Sequence, residues 1–110
     1  MDAKVTVDAG ICGFTTIIKA ASEDNMNVDL KVVSPCEVIK DLAEKYKEIT
    51  PINAYQELGP QTESAILKIS RLVLVEKGAC EACAVPAAVC KAMYIAAGLA
   101  LPKDVVMEIQ

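Results

Sequence analysis

The sequence predicts an α+β fold, a two-layer sandwich in which a four-stranded, mainly antiparallel sheet is covered by three helices. Apolar residues alternate with a period of two in the first third of the chain, and helix start and stop signals bound the apolar stretches after it. The chain has 110 residues, of which 54% are hydrophobic and 24% charged. That length supports one hydrophobic core, so we interpret residues 1–110 as a single domain.

Three predicted strands open the chain as an antiparallel meander. Their alternating positions are Val5 and Val7, then Phe14, Thr16, Ile18 and Ala20, and finally Val28, Leu30 and Val32. The connections at 9–13 and 23–27 are short and rich in turn formers, which favours hairpins. Val105, Met107 and Ile109 alternate again near the C-terminus, and we expect them to form the fourth strand, returning to the sheet.

Three helices are predicted from their end signals. Residues 34–37 (SPCE) form a capping box, with the serine as N-cap and Cys36 at the second helical position. A second helix is predicted over about residues 62–77, and a third from Pro86 to about Gly98.

The third predicted helix carries a row of small side chains, because alanine recurs every four residues from Ala84 to Ala100. Such a row lets another backbone or sheet approach closely. Two interpretations stay open: tight packing within the chain, or a self-association surface. The residues that would form that surface are Ala88, Ala92 and Ala96.

Composition and charge argue against several classes of function. The net charge is −4 and no basic run is present, so we expect no nucleic-acid partner. Histidine is absent, which excludes Ser-His-Asp and Cys-His catalysis, and we assign no catalytic residue. The N-terminus lacks the features of a secretory signal, and the apolar stretch 82–101 carries Lys91 near its middle. We therefore expect a cytoplasmic protein that does not span a membrane.

Cysteines are the most informative feature of the composition, and three of the five, Cys12, Cys36 and Cys83, lie at predicted turns or helix ends. Cys12 lies in the first hairpin connection between Gly10 and Gly13, where glycine backbone permits positive φ and close approach of a ligand. Cys36 lies at the start of the first predicted helix. Helix N-termini lower the pKa of thiols and present free N–H groups to anions or clusters.

Cys80 and Cys83 form a CxxC motif directly before the third predicted helix. A lone CxxC is weak evidence for zinc, and the second CxxC of a zinc ribbon is missing. Cys90 lies on an apolar helix face, which is typical of a buried cysteine that acts as a small hydrophobic residue.

Nearly the whole sequence resembles an uncharacterised family of short single-domain proteins from anaerobic prokaryotes, which has no established activity. The resemblance rests on DAGICGF at 8–14, SPC at 34–36, CAVP at 83–86 and AAGLALPKDV at 96–105. The recurring cysteines of the family correspond to Cys12, Cys36 and Cys83. The resemblance implies a fold unit and an oxygen-poor setting; relatives commonly have proline where this chain has Ala84.

Three functional hypotheses follow. The first is an iron–sulfur cluster or zinc site whose ligands are Cys12, Cys36, Cys83 and, as a fourth, Cys80, with Gly10 and Gly13 beside it. The second is a non-catalytic interaction domain with reduced thiols that associates with a partner or a second copy. The third is a thiol redox protein that uses the CxxC motif. A metal site requires the sulfurs to converge, whereas packing alone leaves them apart.

Overall fold

A four-stranded antiparallel sheet with the order β1-β2-β3-β4 forms one layer of the fold, and helices cover one of its faces. The structure is a computed structural model, and it describes residues 1–58, 63–78 and 83–110. The strands are β1 (Asp2–Asp8), β2 (Thr15–Ala21), β3 (Asn27–Val33) and β4 (Ile52–Asn53). The helices are α1 (Glu37–Ile49), α2 (Ala54–Glu57), α3 (Ala65–Lys77) and α4 (Val85–Ala96). The predicted α+β class and the three-strand meander are confirmed.

The strand register explains why one sheet face carries the core. Asp2 pairs with Ala21 and Asp8 with Thr15 between β1 and β2, and the β2–β3 pairing continues the same alternation. Successive side chains of a strand point to opposite faces, so every second position is buried. The buried positions on these strands are Val7, Thr16, Ile18, Ala20, Val28, Leu30 and Val32.

The opposite sheet face is exposed, and three of its lysines lie side by side. Lys4 pairs with Lys19 and Lys19 with Lys31, so these side chains form a line across three strands, which we call the lysine row. All three are exposed, and none has an ion pair within residues 1–58, 63–78 and 83–110. Like charges directly opposite each other on neighbouring strands are destabilising. The lysine row is therefore a concentration of positive charge in a chain whose net charge is −4.

The predicted C-terminal strand is wrong, and a different segment supplies the fourth strand. Residues 101–110, which we call the arm, are exposed and belong to no strand. Instead Ile52 pairs with Val28 at the β3 edge, where its side chain is buried, and the Ala54 N–H donates to the Met26 carbonyl at 2.9 Å. Alternation in the arm defines which face a strand would present, but it does not supply the partner that a strand requires.

Helix α1 begins later than its capping box predicts. Its N-cap is Cys36 and its first residue Glu37, so Cys36 does not occupy the second helical position. The Ser34 hydroxyl accepts instead from the Cys36 N–H at 3.2 Å and from the Thr16 hydroxyl at 2.8 Å. Because that oxygen serves a turn and a buried contact to β2, it does not cap the helix.

The other two long helices agree closely with prediction. Helix α3 begins at Ala65 rather than near residue 62, because the Ser64 hydroxyl caps it by accepting from the Leu67 N–H at 3.2 Å. It ends at Gly78, whose φ of +65° is left-handed. Helix α4 begins one residue before the predicted start at Pro86.

Helix α4 packs against β1 and β2, and its alanines take part in this packing. Ala92 and Ala96 are fully buried within the chain, and Ala88 is partly buried. The burial of Ala92 and Ala96 favours tight packing within the chain, and self-association through these three alanines stays a prediction. No helix in the described ranges is long and apolar enough to cross a membrane.

Candidate functional site

The structure places the predicted cysteine ligands on separate elements. Cys12 is exposed at the end of a short 3-10 turn, residues 10–12, between β1 and β2. Cys36 is half-buried at the N-cap of α1, and Cys83 is half-buried just before α4. Cys80 lies outside the described residues.

Glycines around Cys12 define the shape of its turn. Gly10 and Gly13 have φ values of +75° and +73°, in the left-handed region that glycine adopts without steric cost. A Cβ atom at either position would meet no atom within 4 Å. The Gly10 N–H donates to the Asp8 carboxylate at 3.3 Å, and the Gly13 N–H donates to the Gly10 carbonyl at 2.9 Å. The positive φ values therefore explain why glycine occupies both positions. Contact of Gly10 and Gly13 with a cofactor stays a prediction.

Within the part of the chain that the structure describes, no three Cys, Asp or Glu side chains are grouped to hold a metal ion. The set of Cys12, Cys36 and Cys83 thus does not form such a group there. Structural zinc sites use four ligands in tetrahedral geometry, and clusters need several converging thiolates. Metal binding by these cysteines together with Cys80 stays a prediction.

Cys90 behaves as the sequence predicts, as a buried small residue. Cys90 lies on α4, and its side chain is part of the hydrophobic core of the domain and only 7% exposed. Burial, the largest cause, and the nearby Glu57 carboxylate together raise the pKa of the Cys90 thiol to about 11, although a hydrogen bond with Ser64 lowers it. The thiol is therefore protonated at neutral pH, a form that neither attacks as a nucleophile nor binds metal well.

The Glu57 side chain is a buried acidic group that the sequence analysis missed. Its carboxylate accepts from the Ser64 hydroxyl at 2.8 Å, the Ala65 N–H at 2.9 Å and the Ile66 N–H at 3.0 Å. It thereby satisfies the first amide groups of α3, where negative charge also interacts favourably with the helix dipole. The Tyr94 hydroxyl donates to the Glu57 carbonyl at 3.2 Å. Glu57 therefore links α2 to α3 and α4.

A second buried polar contact joins α1 to α3. The Ser70 hydroxyl donates to the Ile66 carbonyl at 2.6 Å, so the Tyr46 hydroxyl donates to Ser70. Burial raises the pKa of Tyr46, and the neighbouring thiols of Cys90 and Cys83 raise it further, so the phenol stays protonated. Every hydroxyl here has a partner, which is typical of a structural contact.

The grooves on the described surface are shallow. One of about 280 Å³ lies between α3 and the start of α4, and Cys83 contributes to its wall. Its other lining residues are Leu67, Ser70, Arg71, Leu74, Pro86 and Ala87. A second of about 420 Å³ lies on the exposed sheet face around the lysine row.

The arm is an exposed apolar feature of the described chain. All of its residues are exposed, and its one backbone hydrogen bond within the described residues is local, from Lys103 N–H to the Leu101 carbonyl at 2.9 Å. The exposed apolar residues of the arm, with their exposed fractions, are Leu101 86%, Val105 63%, Val106 75%, Met107 74% and Ile109 94%. Contiguous apolar surface of this kind marks interaction sites more often than scattered single residues do.

These features define the protein as a two-layer α+β domain with cysteines at separate turns and an exposed apolar arm. The chain belongs to the family of unknown function DUF6951, whose model matches residues 3–109. The resemblance to an uncharacterised family is thereby confirmed. A search of curated proteins found no match, and neither did a search of solved structures.

Sequence reasoning missed Glu57 and the exposure of the arm for different reasons. Glu57 accepts from one hydroxyl and two amide groups seven to nine residues later, beyond the local spacing of a capping box. Its one signal was an acidic residue placed before a predicted helix start. The apolar alternation of the arm predicts a strand, but alternation alone does not identify a sheet that the strand joins.

Proposed function

We propose that this protein is a non-catalytic interaction domain with reduced thiols, which associates through its arm with a second copy of the chain. The observation that carries this proposal is the exposure of the arm, where four apolar side chains between Val105 and Ile109 lie 63–94% exposed. Fully burying each of these side chains is worth about 1.5–3 kcal/mol. An interface that covers them has a substantial source of binding free energy.

A second copy is the simplest partner because each chain provides both an apolar segment and an incompletely covered sheet. β1 is the outermost strand on its side of the described sheet, and a free strand edge is a template for pairing. Most soluble homo-oligomers are symmetric dimers in which two copies exchange the same contacts. In a symmetric dimer, the arm of each copy is therefore covered by the other copy.

The proposal is tested by measuring molar mass by light scattering over a wide concentration range, for the full chain and for a variant that lacks residues 104–110. We expect a dimer for the full chain and a monomer for the truncated one. Leu72→Ser is the matched control, because Leu72 is an apolar residue, 61% exposed, on α3 rather than on the arm. That variant should remain dimeric.

Two results would contradict the proposal. If the full chain stays monomeric at every concentration, self-association is ruled out. A Leu72→Ser variant that becomes monomeric while the truncated chain stays dimeric assigns the association to α3 instead. Far-ultraviolet circular dichroism of each variant verifies that the comparison is made between folded proteins.

Metal or cluster binding remains a prediction, as does the thiol redox role of the CxxC motif. The ligand set concerned is Cys12, Cys36, Cys83 and Cys80. Anaerobic purification followed by iron, zinc and sulfide analysis tests it, with Cys12→Ser and Cys36→Ser beside the parent protein. Stoichiometric metal that both variants lose would establish the site, whereas metal-free folded protein with titratable thiols would remove it.

A further inference from the structure

The free edge of β1 and the arm fit each other as two strands of one sheet. We propose that residues 104–109 of each copy add as an antiparallel strand to the outer edge of β1 in the other copy. This inference rests on the proposed self-association through the arm and specifies its site and register. Reciprocal exchange of this kind is a form of domain swapping.

The hydrogen bonds between β1 and β2 show which backbone groups of β1 remain available. Ser22 N–H donates to the Met1 carbonyl at 3.1 Å, and Ala9 N–H donates to the Phe14 carbonyl at 3.3 Å. In an antiparallel pair, hydrogen-bonded positions alternate along the strand. The odd-numbered residues of β1 therefore bond to β2, and the backbone groups of the even-numbered residues point to the free edge. These are Asp2, Lys4, Thr6 and Asp8.

The arm has the properties that a strand at this edge needs. Residues 103–110 contain no proline, so each N–H can donate to a neighbouring strand. Val105, Met107 and Ile109 share one face of an extended chain, while Val106 and Glu108 share the other. One face is thus apolar throughout, as the side that covers a core must be.

The core-facing row of β1 has space for that apolar face. Val7 is buried, but Ala3 and Val5 are only partly buried against the core beside α4. Antiparallel pairing that places Val5 opposite Met107 also places Ala3 opposite Ile109 and Val7 opposite Val105. All three core-facing positions of β1 then have an apolar neighbour. A shift by two residues leaves one of them without such a neighbour.

One opposite-charge pair on the solvent face favours the same register. With Val5 opposite Met107, the partner's Glu108 falls opposite Lys4, at the end of the lysine row. Opposite charges at directly paired positions stabilise a sheet. The Glu108 carboxylate would lie opposite Lys4, whose partner on β2 is Lys19, so it would also reduce the repulsion within the lysine row. A parallel arrangement with the same apolar coverage places Glu108 opposite Thr6 and Lys4 opposite Val106. Of these two arrangements, only the antiparallel one pairs Lys4 with Glu108; it also places Asp104 opposite Asp8, a like-charge pair that opposes this register at its other end.

Charge reversal and rescue test the register. We expect Lys4→Glu to weaken the dimer about tenfold, because a repulsive pair arises twice in a reciprocal exchange. Glu108→Lys should weaken it similarly, and the double variant should restore the affinity of the parent chain. Lys31→Glu is the matched control, since it makes the same charge change at the far end of the lysine row. Sedimentation equilibrium at low salt measures each dissociation constant.

Cross-linking tests the site and identifies the chain that provides the arm. Val5 and Met107 would form a non-hydrogen-bonded pair, with Cα atoms about 4.5 Å apart, within the range of a disulfide. We expect the chain with Val5→Cys and Met107→Cys, in a Cys12→Ser background, to form a covalent dimer with oxidised glutathione. Val5→Cys with Val106→Cys is the control, because Val106 faces the opposite side and should not cross-link.

The outcomes separate this inference from the proposed function. A dimer that neither cross-links nor responds to charge reversal retains self-association through the arm but overturns the β1 register. An oxidised monomer with a cross-link within one chain shows that the arm pairs with its own β1 edge, which overturns the exchange. A full chain that is monomeric throughout overturns both.

Discussion

Replacing Glu57 with alanine should lower the free energy of unfolding by about 3 kcal/mol, from the bonds that its carboxylate makes. Three donors reach that carboxylate within 3.0 Å, from Ser64, Ala65 and Ile66. A hydrogen bond to a charged group is worth about 1.5–3 kcal/mol, and a buried donor left unpaired costs about 1–3 kcal/mol. The expected loss is smaller than that of three independent hydrogen bonds, because Ala65 and Ser64 are only partly buried and their donors can bond to water in the variant.

Glu57→Gln should lower the free energy of unfolding less, by about 1–2 kcal/mol. One carboxylate oxygen accepts from both Ser64 and Ile66, and the glutamine carbonyl can replace it. The glutamine NH₂ faces the Ala65 N–H instead of accepting from it, and the favourable charge at the start of α3 is lost. The test is therefore both the size of each loss in unfolding free energy and the finding that Glu57→Ala loses more than Glu57→Gln.

Urea unfolding at neutral pH measures both effects, at one fixed protein concentration because a dimer links stability to concentration. Glu63→Gln is the matched control, since Glu63 is an exposed acidic residue near the same helix end. With a denaturant slope of about 1.5 kcal/mol/M, Glu57→Ala should shift the midpoint by about 2 M. A shift no larger than that of Glu63→Gln would refute the reasoning, because water would then replace the carboxylate without loss.

Further variants test other contacts of the fold. Ser70→Ala should cost about 1–3 kcal/mol, more than the roughly 1 kcal/mol of Tyr46→Phe, because it leaves a buried phenol without an acceptor; a double-mutant cycle in urea checks this order. Four hydrogen bonds hold the pKa of the exposed Asp24 carboxyl at about 2, below its usual 3.8. Because the pKa of Asp24 is lower in the folded protein than in the unfolded chain, its carboxylate stabilises the fold above about pH 4, and this stabilisation is lost as the pH falls toward 2. The urea midpoints of Asp24→Asn and of the parent protein should therefore differ at neutral pH and converge near pH 2. Ala92→Leu should destabilise by about 1–3 kcal/mol because its site is filled, whereas Ala87→Leu on the exposed side of α4 should shift the thermal midpoint little.

Local patterns determined most of the sheet and the long helices. The alternation around Ile18 and Leu30 correctly identified the buried face, because a strand repeats every two residues whatever lies beside it. Pro86 and Gly78 marked helix ends through backbone constraints that act within one turn. Such signals need no knowledge of distant residues.

The features that the sequence did not predict depend on distant partners. Ser34 fits a capping box locally, but Thr16 on β2 donates to its hydroxyl and redirects it. Ile52 forms a strand only because Val28 lies opposite it. Likewise, the turn positions of Cys12 and Cys83 could be predicted, whereas the distance between their sulfur atoms is set by the whole fold.

Cys90 gives this protein a built-in reporter of its own unfolding. The chain contains no tryptophan, so the most common fluorescence probe is missing. A thiol that is 7% exposed, with a pKa of about 11, resists alkylation until the surrounding core opens. When opening and closing are fast relative to alkylation, the labelling rate at Cys90 measures the population of open molecules under native conditions. Mass spectrometry of that one site would follow the stability of the core without any engineered label.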